Sequence, residues 1–442
     1  MRSVFLFLVA SLLVAQPPAA QLLKPQAPQA YATLKELTAL GPRLTGSTQE
    51  RNAHAWALAR FKDLGLKTGQ MSVPLAHTWQ RGVADAALAK TKIHLAQWGW
   101  TPPTEGEITS PVVLLRKPSD LAALKDHLKG TIVLAGAPAT ELDPPEMAPP
   151  LREHRPATQH GEFPIEELIP SLKEAGVLAV LTDAGKSHGR LNMAAPDKLT
   201  PGGLPIAFVA HEDYLKLCSA KVPLRLELGG NFGDPGEVLT TWAELPGTEF
   251  PDQCVILGAH LDSWDLATGA TDNGAGVAAI LESARLLVKE GAKPKRSIRF
   301  VLFGGEEEGY LGSAGYVAKQ PLQTISAVFV MDTGAGAING FALQGRPEAA
   351  KVLMPLLAPL KKLGVTETDL RNEGGTDHVP FDQAGVPAFC AEQIQHDYAA
   401  IHHSASDTLS HVRPGELEQA AQVIAFTALK VANLPDLLPR ER

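Results

Sequence analysis

A chain of 442 residues with 45% hydrophobic and 20% charged side chains is long and apolar enough to bury a large core, which excludes a disordered protein and predicts two domains. A formal net charge of −8, with no basic cluster, argues against nucleic acid as a partner. Three cysteines, Cys218, Cys254 and Cys390, are too few for a disulfide framework and read as small core residues.

Arg2, the apolar stretch from Val4 to Ala15 and the small residues PPAAQ at 17–21 predict a secretory signal peptide over 1–20. A membrane anchor needs about 20 apolar residues, and Gln16, Pro17 and Pro18 cut this run short, so no stable membrane insertion is expected. Leu34, Leu37 and Leu40, then Ala55, Ala57, Leu58 and Phe61, follow helical spacing on either side of GPRLTGS. Two helices flanking a turn are predicted.

Between about 108 and 228 the texture changes to short apolar runs, PVVLL, GTIVLAG, GVLAVLTDAG and LPIAFVA. A proline-rich loop from Pro138 to Pro170 lies among them and is too long for an ordinary connection. This stretch reads as an inserted small domain. From Thr240 onward, strand-like runs (VILGAH, IRFVLFGG, AVFVMD, VPAFCAEQ) alternate with helical ones. That alternation predicts an α/β fold with a mostly parallel sheet flanked by helices on both faces.

Five side chains of metal-binding type follow these runs: His260, Asp272, Glu307, Asp332 and His403. Two imidazoles and three carboxylates suit zinc, with one carboxylate shared between two ions. His260 and Asp332 end strands, where ligands of such sheets collect. Asp262 is placed to accept a hydrogen bond from the second ring nitrogen of His260, or to serve as a turn residue. Asp272 opens a helix near Gly274 and reads as the bridging ligand, with Gly274 and Gly276 allowing close approach of the backbone. Among Glu306, Glu307 and Glu308, one is expected to bind metal and another to act as base, with Glu308 left as solvated charge. Of His402 and His403 one is a ligand, and the other points at substrate or is a satisfied loop histidine.

These motifs, GAHLDSWD above all, together with GPRLTGS, TWQRG, TPPTEG, KPKRSIRFVLF and HHSASDT, make the sequence resemble the M28 zinc peptidases over nearly the whole mature chain. Its texture is most similar to a carboxypeptidase branch of that family. MDTGAG at 331–336 and the Asp377-His378 pair in GGTDHVPF instead resemble the aminopeptidase branch. The resemblance implies a zinc-peptidase, phosphorylase/hydrolase-like architecture, with 21–107 and 229–442 forming the catalytic domain and 108–228 an inserted, β-rich protease-associated domain. It assigns Glu306 as base and Glu307 as ligand, and it selects His403 over His402. One zinc is then held by His260 and Asp332 and the other by Glu307 and His403, with Asp272 bridging.

The expected activity is hydrolysis of dipeptides or short peptides by a metal-bridging hydroxide, with Glu306 as general base and Asp262 in support. Asp377, His378 and His402 are candidates for substrate or oxyanion contact. The N-terminal leader predicts a secreted or periplasmic protein after its cleavage, and the resemblance implies a homodimer. Alternatives are an aminopeptidase acting on longer peptides, a glutaminyl cyclase, and a metal-free binding module, which would have lost ligands that are all present here.

Overall fold

Seven strands form the main sheet of the computed structural model, which describes residues 18–24, 28–142 and 163–442. The expected leader at 1–20 and the proline-rich loop at 138–170 lie mostly outside the described residues. The strands are β1 (Lys67–Leu75), β2 (Gly236–Leu245), β3 (Phe250–His260), β4 (Arg296–Phe303), β5 (Ile325–Met331), β6 (Ile338–Ala342) and β7 (Ala388–Gln393), in the order β1-β2-β4-β3-β5-β7-β6. The central strands β4, β3, β5 and β7 run parallel, whereas β1, β2 and β6 join antiparallel.

The sheet is therefore mixed, not mostly parallel as expected. Strands buried on both faces read as continuous apolar runs, and those runs correctly marked the parallel centre. The texts of β1, KTGQMSVPL, and β2, GEVLTTWAEL, are too polar to be marked that way. The outermost strand β1 is largely solvent-accessible along its length.

Alternation along β3 feeds two cores. Val255, Leu257 and Ala259 pack with α1 (Gln29–Thr38), α2 (Thr48–Asp63), α3 (Ala275–Lys289) and α4 (Pro414–Ala432), while Cys254 and Ile256 pack with Phe303, Tyr316 and Phe381 on the opposite face. Helices on both faces and a turn between α1 and α2 agree with the sequence pattern. Ser47 caps α2 by accepting from the Glu50 amide at 3.1 Å, which is why GPRLTGS ends one helix and starts the next. All three cysteines are free, with Cys254 and Cys390 buried.

Two further sheets form a second unit. One is five-stranded, with the strands starting at 95, 206, 179, 132 and 112 side by side; the other is four-stranded and antiparallel. Both draw on strands ahead of the boundary expected at 108, since Ala84–Leu88 pairs with Leu224–Leu228 and Leu95–Gln97 with Ile206–Val209. The early strands are short and rich in alanine, so no apolar run marked them. Their partners and the strands beyond them bury Leu226, Val209, Leu181 and Ile132 in a core of their own. Among the described residues, no helix is long and apolar enough to cross a membrane.

Between α3 and α4 lies a buried acid pair. Arg285 holds Glu282 through two hydrogen bonds of 2.7 and 2.6 Å, while Glu418 accepts from the Ala30 amide at 3.2 Å. Burial, reinforced by Glu282, pushes the Glu418 carboxyl up to about 7. A carboxyl whose folded pKa exceeds its unfolded value costs stability as pH rises from the unfolded value, about 4.3, through the folded one, and the cost is constant above it. Glu418→Gln should therefore raise the melting temperature relative to wild type more at pH 8 than at pH 5. Equal differences at the two pH values would contradict the shift.

Candidate metal centre

The three central strand ends open into one crevice. Parallel pairing sets His260 beside Phe303 and Gly258 beside Val330. His260, the acids that follow Phe303, and Asp332 after Met331 consequently emerge together. Asp272 arrives from the kinked turn Ala270–Gly274 ahead of α3, and His403 from the loop before α4. An added Cβ at Gly276 would lie 2.2 Å from Asn273 Oδ1 and 2.8 Å from the Met331 carbonyl. Glycine there lets the start of α3 press against the end of β5, as the sequence suggested.

Asp272 stands between two donor sets. Its Oδ1 lies 3.2 Å from His260 Nε2, which is also 3.1 Å from Asp332 Oδ1. Its Oδ2 lies 3.3 Å from His403 Nε2, and that nitrogen meets Glu307 Oε2 at 2.9 Å. His402 Nε2 comes within 3.4 Å of the same Oδ2, with its ring stacked on His403 at 3.6 Å. His403 is the member of the pair that also reaches Glu307.

The remaining candidates fall into different places. His260 Nδ1 faces the main-chain carbonyl of Asp262 at 3.2 Å, with the carboxylate Oδ1 farther off at 3.6 Å. The Asp262 carboxylate accepts instead from the Glu307 amide at 3.2 Å and the Thr45 hydroxyl at 3.3 Å, so it ties the end of β3 to the acid run. Glu308, expected in solvent, is buried. Positive φ at Gly305 and Gly309 folds the acid run back on itself, which a count of charges could not reveal. Asp377 is buried beside the site, where burial, with Asp262 and Asp332 adding to it, pushes its carboxyl up to about 8. His378 sets Nε2 against the Gln344 side chain and the Glu373 carbonyl, the latter at 3.1 Å.

The electrostatics call for positive charge. Burial raises the carboxyls of Glu306 and Asp332 and takes Glu307 to about 7, with Asp272 adding to the last. Against their own burial, His260 is held well above its ordinary value by Asp332 and its neighbours, and His403 is held up to about 10 by Glu307 and Asp272. Burial lowers His402 well below the usual range, and His403 lowers it further. Asp272 Oδ2, Glu307 Oε1 and Asp262 Oδ1 are buried without hydrogen-bond partners. Imidazole nitrogens and unsatisfied carboxylate oxygens that converge this way fit divalent metal ions, whose binding displaces the protons.

Several supporting residues escaped the sequence reading. Asp407 accepts from the Thr271 amide and hydroxyl at 2.6 and 2.7 Å and from the Asp272 amide at 3.1 Å, fixing the turn that carries Asp272. Arg43, fully buried, donates to the carbonyls of Leu261, Thr268 and Gly269 at 2.6, 2.6 and 2.9 Å. Trp264 places its edge against His403, and Tyr398 packs on His402. Asp407 had a signal, four residues after His403, but it served only to choose the histidine. Arg43 had none, because an arginine in a Gly-Pro turn looks like a surface cation.

Residues 240–428 match peptidase family M28. The chain carries an M28 peptidase domain. Carboxypeptidase Q of Mus musculus is 26% identical over 416 residues, covering 91% of this chain and 85% of that protein. Aminopeptidase YwaD of Bacillus subtilis is 24% identical over 439 residues, covering 94% of this chain and 88% of its own. A solved peptidase M28 precursor from Shewanella amazonensis is 26% identical, with a TM-score of 0.80 and 96% of both chains covered. The M28 resemblance read from the motifs, with both its carboxypeptidase and aminopeptidase leanings, is borne out.

Arg43, ahead of the matched segment, links the turn between α1 and α2 to the loop between β3 and α3. Arg43→Met should lower stability by about 3 kcal/mol, because it strands two buried carbonyls and a partly buried third, each costing roughly 1–3 kcal/mol. Urea unfolding measures this, and a loss below about 1 kcal/mol would contradict it.

Proposed function

We propose that this protein is a di-zinc exopeptidase that cleaves dipeptides or short peptides, secreted or periplasmic and homodimeric. The observation that carries the proposal is Asp272, flanked on one side by His260 and Asp332 and on the other by Glu307 and His403. His260 and Asp332 would hold one ion and Glu307 and His403 the other, with Asp272 shared. Bound zinc supplies Lewis-acid polarisation of the scissile carbonyl and lowers the pKa of the attacking water. The second unit is proposed as an inserted domain of the protease-associated type.

Glu306 is the general base in this reading. Its carboxylate belongs to neither donor set, and burial beside Asp332, Glu307 and Asp377 makes it more basic than an ordinary glutamate. It accepts the water proton and delivers it to the leaving amine nitrogen. Asp262 keeps Glu306 and Glu307 in register with His260 by holding the Glu307 amide. His402 is kept neutral by burial and is offered to substrate, as is Asp377. Glu306→Gln should retain two zinc ions per chain by metal analysis while turnover falls about 10²- to 10⁴-fold. Zinc-replete protein with near wild-type turnover would remove Glu306 from that role.

An aminopeptidase acting on longer peptides is the second reading, favoured by the likeness to YwaD along 94% of the chain and by the buried Asp377. Turnover of one dipeptide beside its N-acetylated and C-amidated forms separates the two. Loss with both caps supports the dipeptidase. Loss on acetylation alone supports the aminopeptidase.

A further inference from the structure

His403 occupies a backbone conformation that its side chain does not favour. Its φ is +54°, while His402 before it has φ −46° and ψ 132°. The Ser404 amide donates to the Ile401 carbonyl at 3.0 Å, closing a four-residue turn from 401 to 404. These values describe a type II turn with His403 at its third position, where glycine or asparagine is preferred. A type I turn spans the same ends with the 402–403 peptide flipped and φ negative at the third residue. The direction of the His402 carbonyl is what distinguishes the two.

That carbonyl has a partner from the second unit. Lys186, 2% exposed, donates from Nζ to the His402 oxygen. Lys186 follows the strand Ala179–Asp183, and its loop is itself pinned. Asp183 accepts from the Gly185 amide at 2.9 Å, from the Ala139 amide at 2.9 Å and from His211 Nδ1 at 2.8 Å. A buried ammonium held in this way stabilises the flipped peptide and not its alternative.

We propose that Lys186 is a positioning residue: it holds the 402–403 peptide in the type II orientation and so aims the His403 imidazole at Asp272 and Glu307. The proposal rests on the reading of His403 as a zinc ligand. It makes the second unit part of the active centre, because the catalytic half alone lacks this ammonium.

The test compares wild type, Lys186→Met, which keeps the stem and loses the donor, and Lys186→Arg, which keeps a cationic donor. Thermal melting confirms that each variant is folded. In a metal-free crystal structure of Lys186→Met, φ of His403 should leave the positive region. Chelator competition should show one of two zinc ions bound about 10-fold or more weakly, as for other groups that orient ligands. kcat should fall by a similar factor with KM within about twofold, and Lys186→Arg should keep more of both zinc affinity and kcat than Lys186→Met. An unchanged turn, or unchanged zinc affinity, in Lys186→Met overturns the proposal. A wild-type protein that took up no zinc would sink the metal reading alone, and the turn in Lys186→Met would still decide whether Lys186 orients His403.

Discussion

Asp272 is placed between two histidines in a buried crevice that also holds Glu306, Glu307 and Asp332. Unit charges 4 Å apart interact by about 4 kcal/mol near a protein surface, so this gathering of acids resists assembly unless cations or protons offset it. The histidines provide part of that compensation, and the raised carboxyls of Glu306 and Glu307 show how incomplete it is. Metal ions of the kind the donors suit would complete it.

Much of the surrounding architecture keeps that unfavourable arrangement in place. Asp407 holds the turn of Asp272 from the loop that also carries His403, so one segment fixes both. Arg43 ties three carbonyls between His260 and Asp272. Asn273 donates to the Met331 carbonyl at 2.6 Å, binding the start of α3 to the strand that delivers Asp332. Parallel pairing of β3, β4 and β5 supplies the common edge, and the antiparallel strands β1, β2 and β6 extend the sheet on either side.

The second unit is more than an appendage in this arrangement. Its strands begin at Ala84, so the chain leaves the main sheet after β1, builds a five-stranded and a four-stranded sheet, pairs Trp79–Gln80 with Asn231–Phe232 and returns for β2. Lys186 then reaches across to the loop of the histidine pair. The backbone beside His403 is thereby in direct contact with the second unit.

The local texts were enough to pick out the donor side chains that converge on Asp272, because a histidine or acid at the end of an apolar run is a one-dimensional signal for a strand end. The parallel centre of the sheet was legible for the same reason: strands buried on both faces leave continuous apolar runs. Polar strands such as β1 and alanine-rich ones such as Ala84–Leu88 leave no such trace, so the mixed sheet and the early start of the second unit came from pairing alone. The burial of Glu308, the main-chain partner of His260 Nδ1, and the carbonyl contacts of Arg43 and Lys186 depend on which segments meet across the fold. Residue types and spacing carry the chemistry of the donors; the partners that orient them lie up to 226 positions away in the chain, and only folding brings those together.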